Sequence, residues 1–331
     1  MCEEINQFFD LNHIEYAENV SLAKKTWIHR GPTVPLYITP STVDELKNVV
    51  VFLCEKKKDF KVIGHTSNLY FKDTYCTNAI ISTRKMTSYV EKEGQLICDA
   101  GVNVSQLAKQ CVERGIMGFE GLVGLPGTVA AAVVNNSSCF KCSIFDLLID
   151  VDALLIESDG TCSFRTIKRD ELGFIHRSSA IKRGELNAIV LKVRLKVNKT
   201  SNIEELKQKS QNNIDLRKKT QEGKAYNLGS IFSGYRSIPI KMTDLGLKKA
   251  PQVFIFKLRE HFKRNDAKYK LKRNAYLLTL FGYKDIIPYV SKKNINCFMW
   301  LDEGADRAFG RYYEFMHRYA DCNPLEIEVL E

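Results

Sequence analysis

Residues 118–129 read Gly118-Phe119-Glu120-Gly121-Leu122-Val123-Gly124-Leu125-Pro126-Gly127-Thr128-Val129, and Ala130-Ala131-Ala132 follows. Glycine lets a backbone approach a ligand closely, and the small-residue run can open a helix whose N-terminus attracts anions. A second loop, Gly64-His65-Thr66-Ser67-Asn68, comes directly after the β-like run Phe60-Lys61-Val62-Ile63. Its backbone amides and the Ser67 and Asn68 side chains can donate to phosphate oxygens. Neither loop is a dinucleotide-binding GxGxxG or a Walker P-loop, and a tight turn would explain either one alone. Together, in one half of the chain, they point to a pyrophosphate.

Short helical and strand patterns alternate around these loops. Thr42 and Glu45 have capping-box spacing, and Leu46, Val49, Val50 and Leu53 recur at i, i+3, i+4 and i+7, predicting one apolar helical face. A second amphipathic helix is predicted from Val104 to Arg114, with Gly115 as its stop. Val151 to Ile156 reads as a strand before the turn signal Ser158-Asp159-Gly160. Ile189, Leu191, Val193, Leu195 and Val197 then alternate with mostly polar neighbours, so one face is buried and most of the other wet. Asn198 to Asn202 reads as a linker, and a mainly polar helix from Ile203 to Lys219 opens the second half. This order predicts an α+β fold without the regular βαβ spacing of a doubly wound sheet.

The chain has 331 residues, with 49 Lys+Arg against 39 Asp+Glu, a net charge of +10. An apolar fraction of 44% and a charged fraction of 27% exclude a disordered or fibrous chain. No stretch reads as a transmembrane span, and the acidic start Met1-Cys2-Glu3-Glu4 lacks the apolar region of a secretory signal. Ten cysteines without such a signal suit reduced thiols in a cytoplasm. Cys139 and Cys142 alone have CxxC spacing, so no closed zinc site is expected.

In their order, Gly64-x-Thr66-Ser67-Asn68, the stretch Gly118–Val129, Val133-Val134-Asn135-Asn136 and Phe174-Ile175-His176-Arg177-Ser178-Ser179-Ala180-Ile181-Lys182 resemble the UDP-N-acetylenolpyruvoylglucosamine reductase (MurB) family. The resemblance covers residues 20 to 235 and returns at the C-terminal edge. It implies a PCMH-type, two-lobed α+β FAD-binding domain at 1–198, with lobes at about 1–88 and 89–198. A smaller, diverged α+β substrate domain would follow at 199–331. It also implies FAD as cofactor, NADPH as reductant and a UDP-sugar as substrate. The cofactor-binding residues it implies are Gly64, His65, Thr66, Ser67, Asn68, Gly121, Gly124, Pro126, Gly127, Thr128, Val129 and Asn136; no metal is implied.

Hydride addition to an enolpyruvyl ether leaves negative charge on the carbon α to a carboxylate, and that state needs a cation and a proton donor. The resemblance assigns the cation to Arg177, in the place of the Arg of the family's YRxSxFK motif. It assigns the proton donor to Ser230, in Leu228-Gly229-Ser230-Ile231-Phe232, near the family's GSxF. Glu328, in Leu325-Glu326-Ile327-Glu328-Val329, matches the terminal LEPEV and would pair with the substrate carboxylate. Without the motifs these residues read as a surface Arg, a turn Ser and a solvated acid. The sequence departs from the family pattern at Arg30, His65, Ala130, Ala131 and His176, and at Ser233-Gly234-Tyr235.

From Lys248 to Arg273 there are ten basic residues and two acidic ones, Glu260 and Asp266. Without this segment the chain would hold 39 basic and 37 acidic residues, a net +2. Phe254, Leu258 and Phe262 recur every four residues within it, so the insertion 248–281 reads as a docked helix with a wet basic face, as a contact with an anionic membrane surface, or as a contact with a UDP-sugar diphosphate. No nucleic-acid module is visible. The sequence therefore predicts a cytoplasmic FAD-dependent reductase of peptidoglycan precursor synthesis. A MurB-like paralogue acting on another nucleotide- or lipid-linked sugar, and a flavin- or nucleotide-sugar-binding protein without turnover, are the alternatives.

Overall fold

The structure is a computed structural model that describes every residue except Met1, 224–225, 242–244, 264–265 and Asn323. Arg264 of the basic segment thus lies outside the described residues. By contacts the chain divides into two compact units, one of 1–22, 32–66 and 74–216, the other of 23–31, 67–73 and 217–331. The division after Leu216 falls beyond the polar run at 198–202. The reason is helix Ile203–Thr220, whose Leu206 and Ile214 still pack on the first unit's core.

The first unit contains two sheets. Strands Tyr16–Ser21, Thr33–Ile38, Ala79–Ser82 and Phe60–Ile63 form a four-stranded sheet in that spatial order, parallel except at its first pair. Helix Val43–Glu55 covers it and buries the predicted Leu46, Val49, Val50 and Leu53. Its start is capped as the sequence predicts: Thr42 accepts from the Glu45 amide at 3.1 Å, and the Glu45 carboxylate reaches back to the Ser41 amide at 2.8 Å. The second sheet is five-stranded and antiparallel, in the order Cys162–Lys168, Leu148–Ile156, Ala188–Lys196, Gln95–Asp99 and Tyr89–Lys92. Helix Val104–Glu113 packs into its separate core, and the chain leaves that helix through Gly115 at φ +73°. The two lobes expected of an α+β flavin domain are these two sheets with their helices.

The polar-looking face of the second sheet has a buried centre. Asp150 and Asp152 are nearly inaccessible. Arg194, across the ladder, bonds Asp150 at 2.7 Å and Asp152 at 2.6 Å, and Lys168 reaches Asp150 at 2.8 Å.

The second unit is built on aromatic packing. Tyr70, Phe298, Trp300, Phe309 and Tyr312 stack around helix Ala305–Tyr319. The short strand Leu69–Phe71 pairs in parallel with Glu328–Leu330, so the C-terminal edge is tied to a segment from early in the chain.

Candidate functional site

Strand Phe60–Ile63 ends at Gly64, as predicted, and the loop it releases is held by a residue the sequence reading missed. Arg84, on the turn Thr83–Lys85, donates to Gly64 O at 3.3 Å, His65 O at 3.1 Å and Thr66 Oγ1 at 3.5 Å. Thr66 is buried and left-handed at φ +57°, a conformation uncommon in a β-branched residue that this clamp sustains. Nothing in the local sequence marks Arg84, since its partners are backbone carbonyls of a strand-to-loop junction.

His65 is half-buried over Asn103. The Asn103 Oδ1 accepts from Gln106 N at 3.0 Å as the cap of helix Val104–Glu113, which turns its Nδ2 toward His65 Nδ1 at 3.4 Å. Nδ1 is therefore the acceptor, and the ring proton sits on Nε2. Burial, then the nearby Arg84 charge, push the imidazole pKa down to about 4, so His65 is neutral at pH 7. Asn103 could have been found from its place just before the predicted helix, a preferred capping position.

The Gly118–Val129 stretch is laced to the start of the same helix. Val104 N donates to Gly127 O at 3.1 Å, Val129 N to Val102 O at 2.8 Å, and Gly124 N to Ser105 Oγ at 2.7 Å. Gly127 has φ +121°, open only to glycine. Thr128 caps the six-residue helix Val129–Val134 by accepting from Ala131 N at 3.3 Å. The two predicted loops meet here: a β-carbon on Gly64 would lie 2.6 Å from Thr128 Oγ1.

Gly121 is seated against the hairpin Ser138–Cys139/Cys142–Ser143, its amide donating to Cys142 Sγ at 3.2 Å. Burial pushes the free Cys142 thiol up to about 11, so at neutral pH it packs as a small apolar group. Asn136, left-handed at φ +46°, donates to Ile175 O at 2.8 Å. Two residues on from Ile175, Arg177 is half-buried at φ +58°, and its guanidinium donates to Ser138 O at 2.9 Å. Ser179 Oγ pins the turn to Val134 O at 2.7 Å. Asn136 and Arg177, far apart in sequence, are thus joined by reciprocal bonds between segments 136–138 and 175–177, while His176 is exposed.

These residues fit a flavin nucleotide. Asn136 Oδ1 and Ser82 Oγ are buried without a hydrogen-bond partner among the described residues. Ser82 pairs in register with Ile63, one residue before Gly64. Buried polar atoms are normally satisfied, and the N–H and O–H groups of a flavin nucleotide would meet both. No group of His, Cys, Asp and Glu among the described residues could hold a metal.

The remaining predicted residues belong to the second unit. Asn68 Nδ2 donates to Glu326 O at 3.2 Å, and its carbonyl accepts from Glu328 N at 2.9 Å. Glu328 is half-buried opposite Leu69. Ser230 follows Gly229, at φ +78°, whose amide donates to Asn227 Oδ1 at 3.1 Å. The next residue, Ile231, receives Glu326 N at 2.8 Å and donates to Asn296 O at 3.0 Å. Buried Asn296 also grips both backbone groups of Phe232, at 2.9 and 2.7 Å. The Ser230 turn, Asn68 and the Glu328 strand are therefore stitched together through Glu326. In the same unit a cavity of about 410 Å³ is lined by Tyr235, Arg236, Lys270, Arg273, Lys292 and Lys293 among others, with no carboxylate among the described lining residues.

Two α+β lobes whose glycine loops interlock at Gly64 and Thr128 define a PCMH-type FAD-binding domain. A family profile described as an FAD binding domain matches residues 34–163. A UDP-N-acetylenolpyruvoylglucosamine reductase of Prochlorococcus marinus (strain NATL2A) is 31% identical over 245 residues, 72% of this chain and 81% of the relative. That of strain MIT 9313 is 31% identical over 64% of this chain and 68% of the relative. That of Rickettsia rickettsii (strain Sheila Smith) is 29% identical over 66% and 72%. The chain belongs to the UDP-N-acetylenolpyruvoylglucosamine reductase family, and with it to the FAD-dependent oxidoreductases. The crystal structure of the Thermus caldophilus reductase (MurB) shares the fold, with a TM-score of 0.65 at 21% identity over 96% of this chain and 99% of that one.

Proposed function

We propose that this chain reduces the enolpyruvyl ether of a UDP-N-acetylglucosamine derivative to UDP-N-acetylmuramate, a step of peptidoglycan precursor synthesis. Its cofactor is FAD and its reductant NADPH. The observation that carries this reading is the Gly64–Thr128 contact, which fixes two glycine loops as one cradle. The chemistry that FAD supplies when bound is hydride relay from NADPH to the terminal carbon of the enolpyruvyl group.

Arg177 meets the charge that builds up next to the substrate carboxylate. A guanidinium remains protonated at any working pH, and the bond to Ser138 O holds this one in place before substrate arrives. Ser230 Oγ delivers the proton to the α carbon. A serine hydroxyl is a weak acid, so neighbouring positive charge must draw that proton off, and the turn fixed by Asn227 and Asn296 gives it one position. Glu328, on the strand anchored by Asn68, holds the substrate carboxylate through a shared proton. Loop residues Gly64 to Asn68, Gly121, Gly124, Pro126, Gly127, Thr128 and Val129, with Asn136, hold the cofactor. The cationic cavity suits the diphosphate of the UDP-sugar, since its wall offers Arg236, Lys270, Lys292 and Lys293 besides Arg273, which Glu260 already engages. The same reading places the enzyme in the cytoplasm.

Purified protein should show a flavin spectrum that NADPH bleaches and the enolpyruvyl UDP-sugar restores. A colourless chain that takes up no FAD would overturn the reading. Bleaching restored only by a different nucleotide- or lipid-linked sugar would transfer the activity to that substrate, and FAD uptake without bleaching would leave a binding protein.

A further inference from the structure

Helix Ala250–Lys263 buries one face and exposes an unusual one. Val253 and Phe256 enter the second unit's core at 4% and 6% exposure, and Glu260 turns the same way to meet Arg273 at 3.0 Å and the Tyr269 hydroxyl at 2.8 Å. The opposite side of a docked helix is normally charged. Here it carries Phe254, Ile255, Leu258 and Phe262, exposed at 65%, 47%, 46% and 74%. At helical spacing these four fall within an arc of about 100°. His261, its ring against Phe262, borders the arc on one side with Lys257 next to it; Arg259, over the Tyr276 ring at 5.0 Å, borders the other, with Lys263 beyond it.

Both of the segment's acids are engaged within the segment, Asp266 also acting on Lys263. Glu260 is engaged inward by Arg273, and Asp266 caps the next helix, Ala267–Phe281, by accepting from Lys268 N and Tyr269 N. On that helix Leu271, 49% exposed, stands between Lys270 and Lys272. Among the described residues, no element covers this large apolar strip edged by cations. A symmetric contact with a second copy would set these cations against themselves, and a nucleic acid would leave the two phenylalanines unused.

We propose that this face docks on the surface of an anionic lipid bilayer. Phe254, Ile255, Leu258 and Phe262 would enter the headgroup–acyl boundary, while Lys257, Arg259 and Lys263 extend along their aliphatic stems to the lipid phosphates. No helix among the described residues is long and apolar enough to cross a membrane, so the contact is peripheral. It goes beyond the catalytic reading and does not depend on it.

The test is co-sedimentation of the full chain with vesicles of equal phosphatidylglycerol and phosphatidylcholine, against vesicles of phosphatidylcholine alone. Wild type should bind the anionic vesicles at least about tenfold more tightly, and salt should weaken that binding. The triple variant Phe254→Gln, Leu258→Gln, Phe262→Gln should lose at least about tenfold in partitioning with its circular dichroism unchanged. If the triple variant does not fold, Phe262→Gln alone should still lose several-fold. Equal binding by wild type and variant, or no binding by wild type, would overturn the proposal. So would a wild-type dimer that the substitutions dissociate without changing vesicle binding, since the face would then join two copies.

Discussion

Gly64 and Thr128 are in contact so close that a β-carbon on Gly64 would stand 2.6 Å from Thr128 Oγ1 and 3.0 Å from its methyl group. Thr128 cannot swing away freely, because the same oxygen caps helix Val129–Val134. Gly64→Ala should therefore push the two loops apart, costing about 1–3 kcal/mol of stability and at least about tenfold in FAD affinity. Adding Thr128→Ala should recover part of the FAD affinity while giving up about 1 kcal/mol for the lost cap. Denaturant melts and FAD titration of the single and double variants check both effects. A Gly64→Ala protein with wild-type FAD affinity would show that the contact does not shape the cradle.

Ser230 is proposed to act only after hydride has reached the substrate. Ser230→Ala should leave NADPH reduction of the flavin unchanged and slow reoxidation by the enolpyruvyl UDP-sugar by about 100-fold or more. Stopped-flow absorbance separates the two half-reactions. Equal slowing of both would instead mean that the turn held by Asn227 and Asn296 is a structural support.

Local signals were legible wherever they satisfied themselves locally. The Thr42–Glu45 cap, the strand Phe60–Ile63, the helix from Val104 with its Gly115 stop, and the alternation at Leu191, Val193 and Leu195 all stand in the fold as read. The order of helical and strand patterns gave the α+β class, and the family resemblance carried by the glycine stretch and the motifs around it implied its PCMH type. What could not be read was pairing across the chain. The parallel match of Leu69–Phe71 with Glu328–Leu330 joins two three-residue strands with no turn between them to record it. Arg84 is equally silent, since it recognises mainly backbone carbonyls, of Gly64 and His65. Asp152 sits inside what reads as the apolar run Val151–Ile156, and Arg194 and Thr166 on the two neighbouring strands explain its burial.

His65 should give the protein a distinctive acid response. Buried over Asn103 and facing the Arg84 charge, it titrates near 4 when folded, against about 6.5 in an unfolded chain. Between those values the unfolded state binds the extra proton, so stability falls as pH drops from about 6.5 toward 4, by at most about 3 kcal/mol. Carboxylates titrate at the lower end of this window in wild type and variant alike, so the difference between the two reports His65. His65→Gln, which keeps a neutral polar side chain, should flatten thermal stability between pH 6.5 and 4, a window set by the shift from about 6.5 to about 4. A variant whose melting temperature tracks wild type across that range would show that His65 is not the group responsible.

Arg194 faces two nearly inaccessible carboxylates, Asp150 and Asp152. Burial alone would raise the Asp150 pKa, but the bonds from Lys168 and Arg194 hold it below the ordinary carboxylate value. Arg194→Met removes the shared cation and leaves Lys168 to serve Asp150 alone, with Asp152 kept only by the Thr166 hydroxyl at 2.7 Å. The expected loss is about 3–5 kcal/mol at pH 7, read as a lower urea midpoint. A carboxyl stripped of its cation takes up a proton more readily, so the deficit should shrink in acid, where Asp150 is neutralised in the variant before it is in wild type. A deficit that stayed constant with pH would mean the loss comes from the packing of the guanidinium stem rather than from the buried charges.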